Sequence, residues 1–352
     1  MQTQILQAQA NSIQRAYQLL LNSELVAIPT ETVYGLAAHA FDEQAVARIF
    51  AAKERPKFDP LIVHLAQQPE MSLQTLAEQD LIQYELIPDQ LQQALNQLIQ
   101  SYWPGPLTLV LPRHARVPDL VTSGLDTVAL RVPAHPVAQA LLDYGLPLAA
   151  PSANRFGRIS PTTAQAVYDE LKGRIPLILD GGPCEIGLES SVVGIQDQSL
   201  CLLRPGKLGL AELSTAAGLT VALAQAHPAE VRAPGMLKSH YAPRLPLKLM
   251  PSETELLRYL QSHSERPGVL LLESGTETTR AIETRSRDLG GKVIYLSQNG
   301  DLAECARSLF TAMRELDQDL DYLLAVLPAA GDGLSHAIRD RLAKAAYNNQ
   351  SE

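Results

Sequence analysis

Beyond Pro246 the chain alternates short apolar runs with longer amphipathic ones. PLKLM (246–250), GVLLLE (268–273), KVIYLS (292–297) and YLLAVLP (322–328) have the length and composition of buried strands. Between them lie SETELLRYLQSHS (252–264), a stretch closing near Gly290-Gly291, residues 302–320 and a last segment near 336–346. These carry helical spacing, and Ser252 is placed as an N-cap. Strands alternating with helices predict a parallel sheet of the doubly wound type. No glycine-rich phosphate loop of the Walker kind follows any of these strands.

The first two thirds are less regular. VALRVP (128–133), LPLAA (146–150), PLILD (176–180) and CLLRP (201–205) predict short strands among helices and Pro/Gly-rich loops, a mixed α/β domain. A helix is predicted from Asp42 to the Arg55-Pro56 step. Another is predicted to open at Ser160-Pro161, with Ser160 as N-cap and Pro161 at the first helical position. Residues 217–245 are rich in Ala and Pro, and on composition alone they read as a semi-rigid connector.

At 352 residues the chain has room for about two domains. Its hydrophobic share of 46% is enough for packed cores. No apolar stretch reaches the ~18–20 residues that span a bilayer, and MQTQILQAQANS lacks a basic segment leading into an apolar run. The expectation is a soluble, unexported protein. Cys184, Cys201 and Cys305 are odd in number and far apart, which suits a reducing compartment without a disulfide framework. The net charge of −9 argues against a broad nucleic-acid surface and leaves room for a local basic cleft.

Candidate chemistry sits where apolar runs end. In IPTETVYGL (28–36) a strand stops at Pro29 and gives way to Thr30, Glu31 and Thr32, and the hydroxyls of Thr30 and Thr32 are suited to lining a polar cleft. FAAKERPKFDPLIVH (50–64) puts Lys53, Arg55 and Lys57 within five positions and closes on His64. Two readings stand for these cations: solvated partners of a helix C-terminus, or a Lys–Arg pair for phosphate. LAAPSANRFGRISPTTA (148–164) brings Ser152 and Asn154 to a strand end, GLESSVVGI (187–195) brings Ser190, LLRPGKLG (202–209) brings Arg204, and GLDTVALRVP (124–133) brings Thr127 and Arg131. In α/β proteins ligands sit at such strand ends. Gly-x-Ser-x-Gly elbows, paired metal-ligand histidines and Walker loops are all missing from the sequence.

PTETVYGL, KERPKFDPLIVH, WPGPLTLVLP, GLDTVALRVPAHP, APSANRFGRISPT, GLESSVV and LLRPG stand in the order seen in YrdC-like domains, which this chain resembles. APGMLKSHYAP and the ending GLSHAIRDRLAKAA resemble the longer, two-domain form of that family, the threonylcarbamoyl-AMP synthases. The resemblance runs over about 12–346. It implies an α/β fold: a YrdC-like catalytic domain (1–216) with a mixed twisted sheet and an open cleft, then a Pro-rich linker (217–245) acting as an active-site lid. A smaller Rossmann-like parallel-sheet domain (246–352) would follow.

The implied activity is that of a cytoplasmic nucleotidyltransferase. It would join L-threonine, bicarbonate and ATP, with Mg²⁺, into threonylcarbamoyl-adenylate and release pyrophosphate. The product would pass to the machinery that modifies tRNAs reading ANN codons, and neither a membrane nor stable tRNA binding is required.

Carried over by motif, Lys53 and Arg55 become the catalytic residues and bind the ATP phosphates. Thr127, Ser152, Asn154, Ser160, Arg204 and Tyr241 join them around the nucleotide. Thr30, His64, Arg131, Ala150 and Ser190 attend threonine, with Arg131 on its carboxylate, and His240-Tyr241 reach back over the cleft. One departure stands out: Asp59 precedes Pro60, where many members of the family carry Asn. Double-stranded RNA binding through Lys53–Lys57, Arg155 and Arg158 is a competing reading. So is carbamoyl transfer, against which the lack of a CxxC pair counts.

Overall fold

The structure, a computed structural model, describes residues 1–224 and 240–347. The chain divides into two compact units. The first holds Met1–Phe156, Pro161–Glu185 and, from Glu189, the described residues up to 224. The second holds Gly157–Ser160, Ile186–Leu188 and the described residues from His240 onward.

The first unit is built on an eleven-stranded mixed sheet. Its order is Gln4–Gln7, Leu177–Asp180, Val26–Ile28, Gly35–His39, Leu148–Ala149, Ile62–His64, Thr127–Arg131, Leu107–Pro112, Ser191–Gln196, Ser199–Arg204 and Ala222–Leu223. Parallel and antiparallel pairings are interspersed, as the resemblance implied. Alternation along the central strands sorts their side chains onto two faces. Val63, Leu107, Leu109, Leu111, Val128, Leu130 and Val193 enter the main core. The opposite parity gives a much smaller apolar cluster of Ile62, Val110, Ala129 and Val192. His64, Thr108, Thr127 and Arg131 share that parity, because Ile62 pairs with Ala129, His64 with Arg131, and Thr108 with Val192. Around these central strands one face is thus packed and the other is polar around an apolar patch, whereas Val26, Ile28, Ala37, Leu148, Leu177 and Leu179 pack a second core on the opposite face of the neighbouring strands.

The second unit's sheet is wholly parallel, in the order Leu247–Met250, Tyr322–Val326, Pro267–Leu271, Lys292–Tyr295. The last strand in the chain inserts between the first two. Ser252 caps the helix Glu253–Gln261 by accepting the Glu255 N–H, as the spacing predicted. The third helix, Leu302–Leu316, stops short of residue 320. Its C-cap Asp317 turns its carboxylate to the backbone N–H groups of Arg244 and Leu245 (2.7 and 2.8 Å to Oδ1).

Two local expectations need correction. The helix expected at Ser160 is Ala164–Leu171, capped by Thr163, whose hydroxyl accepts the Ala166 N–H at 3.2 Å. It cannot start earlier because the backbone ahead of it is committed elsewhere: the Pro161 carbonyl accepts Tyr34 N–H and the Thr162 carbonyl accepts Cys184 N–H, both at 2.9 Å. The stretch read as connector from 217 opens with the strand Ala222–Leu223, paired in parallel with Cys201 and Leu202. The body of the expected lid, 225–239, lies outside the described residues.

Candidate functional site

The helix Glu43–Lys53 delivers the first charged group. Asp42 caps its start by accepting from Gln44 N and Ala45 N, and Glu54 ends it in the left-handed region. Lys53 falls three to seven residues beyond Val46, Ile49 and Phe50 and so lies on the helix's buried stripe. It is 1% exposed, and its ammonium donates to the carbonyls of Ser152 and Asn154. Burial, and then the neighbouring Arg55, hold its pKa well below the usual lysine range. The solvated reading of Lys53 and Arg55 is thereby removed. Ser152 and Asn154 meet Lys53 through backbone oxygens rather than side chains.

Arg55 is also buried. Its Nε donates to the Asp59 carbonyl (3.1 Å) and its Nη2 to the Pro60 carbonyl (2.9 Å), while Nη2 stands 2.8 Å from Asp59 Oδ2. Asp59 is fully buried. Burial raises its pKa against the opposing charges of Arg55, Lys53 and Arg204. The four groups form one electrostatic cluster of three cations and one carboxylate. Arg204, at the end of Ser199–Arg204, donates from Nε and Nη2 to the Ser190 carbonyl (3.1 and 3.0 Å) and from Nη2 to Ser190 Oγ (3.1 Å). Ser190 Oγ also lies 2.7 Å from Thr108 Oγ1. Arg204 and Ser190, expected on the nucleotide and threonine sides respectively, are therefore in direct contact.

A second network explains the polar run after Ile28. Arg131 Nη1 donates to Thr32 Oγ1 (2.9 Å), Nη2 to Glu31 Oε1 (2.6 Å), and Nε to the Gly105 carbonyl (3.1 Å). Glu31 Oε2 accepts from Ala134 N (3.1 Å). Thr30 has one hydroxyl proton, which goes to the Val33 carbonyl (2.6 Å), so the 2.8 Å contact between Thr30 and Thr32 is donated by Thr32. Thr30 Oγ1 also accepts the N–H groups of Thr32 and Val33, each at 3.2 Å, which folds the loop into a tight turn. The two hydroxyls and the carboxylate end the strand in order to hold one buried guanidinium.

His64 pairs with Arg131 in register, and its pKa is lowered to about 3 by burial first and the Arg131 charge second, so the imidazole is neutral. Ala150 is anchored by its N–H to the Ile62 carbonyl (2.9 Å). Gly35 packs over it, since a Cβ on Gly35 would stand 3.2 Å from that of Ala150.

The remaining expected residues belong to other segments of the chain. Thr127 opens the strand that Arg131 closes, four residues or about 13 Å away along it. Ser160 and Tyr241 belong to the second unit. There Tyr241 is buried at φ +64°, stacked on Phe310 with ring centroids 5.5 Å apart and covered by the Arg341 guanidinium at 5.2 Å. Glu31 and Thr108 were not singled out as site residues. The signals present were a carboxylate directly after an apolar strand and a lone hydroxyl on the site parity of PLTLVLP.

A mixed sheet whose strand ends gather buried arginines, a buried lysine and hydroxyls, joined to a second unit with a parallel sheet, defines a two-unit α/β protein. A family model described as telomere recombination (Sua5/YciO/YrdC) matches residues 18–206. A second, described as the threonylcarbamoyl-AMP synthase C-terminal domain, matches 208–347. Threonylcarbamoyl-AMP synthases of Pyrococcus abyssi and Bacillus subtilis are each 38% identical, over 92% and 95% of this chain and 90% and 92% of their own. A crystal structure of P. abyssi Sua5 complexed with L-threonine superposes with a TM-score of 0.82 at 37% identity, covering 98% of both chains. The chain belongs to the Sua5/YrdC family in its two-domain form, the threonylcarbamoyl-AMP synthases, and is an enzyme.

Proposed function

We propose that this enzyme condenses L-threonine, bicarbonate and ATP to threonylcarbamoyl-adenylate with release of pyrophosphate. The observation that carries the reading is the gathering of three buried cations, Lys53, Arg55 and Arg204, around the buried Asp59 carboxylate in a chain of net charge −9. Three desolvated cations are costly to a fold and suit an anionic substrate.

The threonine amine adds to bicarbonate with loss of water, giving N-carboxy-threonine. Its new carboxylate attacks the α-phosphorus of ATP, the bond from α-phosphorus to bridging oxygen breaks, and pyrophosphate leaves. Lys53, Arg55 and Arg204 take the charge that builds on the phosphates. Thr127, Ser152, Asn154, Ser160 and Tyr241 complete the nucleotide's surroundings. ATP enters as its Mg²⁺ complex, the ion held by phosphate oxygens and water.

Arg131 receives the threonine carboxylate. Of its five N–H groups, three are spent on Thr32, Glu31 and Gly105, which leaves two for a bidentate partner. Thr30, His64, Ala150 and Ser190 shape the threonine pocket. The linker, with His240 and Tyr241, serves as a lid against hydrolysis of the carbamate and mixed anhydride. The product then feeds threonylcarbamoyl transfer to tRNAs reading ANN codons, in the cytoplasm.

Pyrophosphate release from ATP, measured with and without L-threonine in bicarbonate buffer, tests the reading. Release that depends on both supports it, and release indifferent to threonine overturns the choice of substrate. The RNA-binding alternative is disfavoured by geometry: Lys53 and Arg55 are buried, and Arg155 pairs with Glu54 at 2.5 Å.

A further inference from the structure

Among the described residues of the first unit, the buried pairs Arg131–Glu31 and Arg55–Asp59 are built differently. Glu31 is fastened to Arg131 by a hydrogen bond of 2.6 Å and to the backbone by the Ala134 N–H at 3.1 Å. Asp59 is 0% exposed and 2.8 Å from Arg55, yet neither of its carboxylate oxygens accepts a hydrogen bond of good geometry among the described residues. It is held by charge alone. Arg55, for its part, does not depend on that carboxylate for its place, because the Asp59 and Pro60 carbonyls already hold its Nε and Nη2. The charged groups facing Asp59 are Lys53 at the helix end, Arg55 in the loop after it, and Arg204 at the end of its strand.

From this contrast we infer that the Asp59 carboxylate is an internal counter-anion of the nucleotide cleft, competing with the triphosphate for Lys53, Arg55 and Arg204. The inference rests on the reading of those three cations as the phosphate cradle. Without nucleotide, Asp59 neutralises one charge of three at no cost in hydrogen bonds. When phosphates arrive, like charges meet on the same cations, and the carboxylate must take up a proton or give up its ion pair. Burial already favours its protonated form, and a neighbouring anion favours it further. ATP binding should therefore consume protons and weaken as pH rises.

The test is calorimetric titration of the full-length enzyme with Mg²⁺–ATP, without threonine. It is run at pH 8 in two buffers of different ionisation heat and repeated at pH 6.5, for the wild type and for Asp59→Asn. The wild type should take up protons on binding. The γ-phosphate of ATP can only release protons on meeting cations, so the sign separates the two sources. Asp59→Asn should abolish the uptake and bind ATP about tenfold more tightly at pH 8, with a smaller gain at pH 6.5. Equal affinity without uptake would overturn the inference. So would weaker binding by the variant, which would make Asp59 a support for Arg55 or a ligand on the metal side. Because Lys53 can also take up a proton when phosphate arrives, the uptake is assigned to Asp59 only where its replacement abolishes it; should Asp59→Asn fail to fold, Asp59→Ser is put through the same titration. Loss of the Asp59 effect with threonine-dependent pyrophosphate release intact leaves the synthase reading standing. Absence of ATP binding in both proteins removes the cradle and the inference together.

Discussion

At the residue scale, the cleft depends on charges that would not survive burial without partners. Lys53 is stabilised by two backbone carbonyls, and its depressed pKa records the desolvation it still bears. Replacing it with Met keeps the stem's bulk and removes the charge. Lys53→Met should lower threonine-dependent pyrophosphate release by roughly 30- to 1,000-fold, the equivalent of about 2–4 kcal/mol in the barrier. Circular dichroism should show the fold retained; activity near that of the wild type would remove Lys53 from the site.

His64 offers a pH test with a definite sign. Its folded pKa of about 3 lies below the ordinary 6.5, so the unfolded chain binds the extra proton first. The stability it contributes is complete above about pH 6.5 and is lost progressively as pH falls toward about 3. Urea unfolding at pH 7 and pH 5 should show a loss in the wild type that is smaller in His64→Gln. An equal loss in both would place the acid sensitivity elsewhere.

At the scale of elements, caps and close approaches carry testable weight. The Thr163 hydroxyl, not that of Ser160, holds the start of Ala164–Leu171, so Thr163→Ala should cost about 1 kcal/mol in chemical unfolding. In the second unit, Gly187 sits at φ +82°, and a Cβ there would stand 2.5 Å from Arg307 Cα in the helix Leu302–Leu316. Gly187→Ala meets both a strained backbone and a backbone clash. It should lower the thermal midpoint by several degrees, corresponding to more than about 1 kcal/mol. An unchanged midpoint would mean that the loop yields freely.

Ser252, Asp42 and the four strands after Pro246 were legible because capping and apolar spacing are local signals. The helix at Ser160 was misplaced because Ser-Pro satisfies the same local rule. Only the distant donors, the Tyr34 and Cys184 N–H groups that take the Pro161 and Thr162 carbonyls, move the start to Thr163.

At the scale of the whole molecule, charge and surface set the expected partners. No helix among the described residues is long and apolar enough to cross a membrane. A net charge of −9, with Lys53, Arg55, Arg131 and Arg204 all buried, disfavours tight binding of RNA. Gel-shift measurement with bulk tRNA at ~0.15 M salt should show no stable complex. A tight, salt-sensitive complex would show that this chain takes part in the transfer step itself.

The chain by itself determined the two-part α/β organisation, the helix and strand alternation of its last third, and the set of motifs that mark the family. These are carried by spacing and by ordered short stretches, which need no tertiary context. It also brought Lys53, Arg55, Arg131 and Arg204 forward as candidates, since a cation at the end of an apolar run stands out on the page. Tertiary structure alone decided what each of them faces. Glu31 and Arg131 lie a hundred positions apart, as do Lys53 and the carbonyls it holds, and Arg204 meets Asp59 across the sheet order. Such partnerships depend on strand order and on which parity faces the helices. Both follow from burying the greatest apolar area in the whole chain at once, a sum no local window contains.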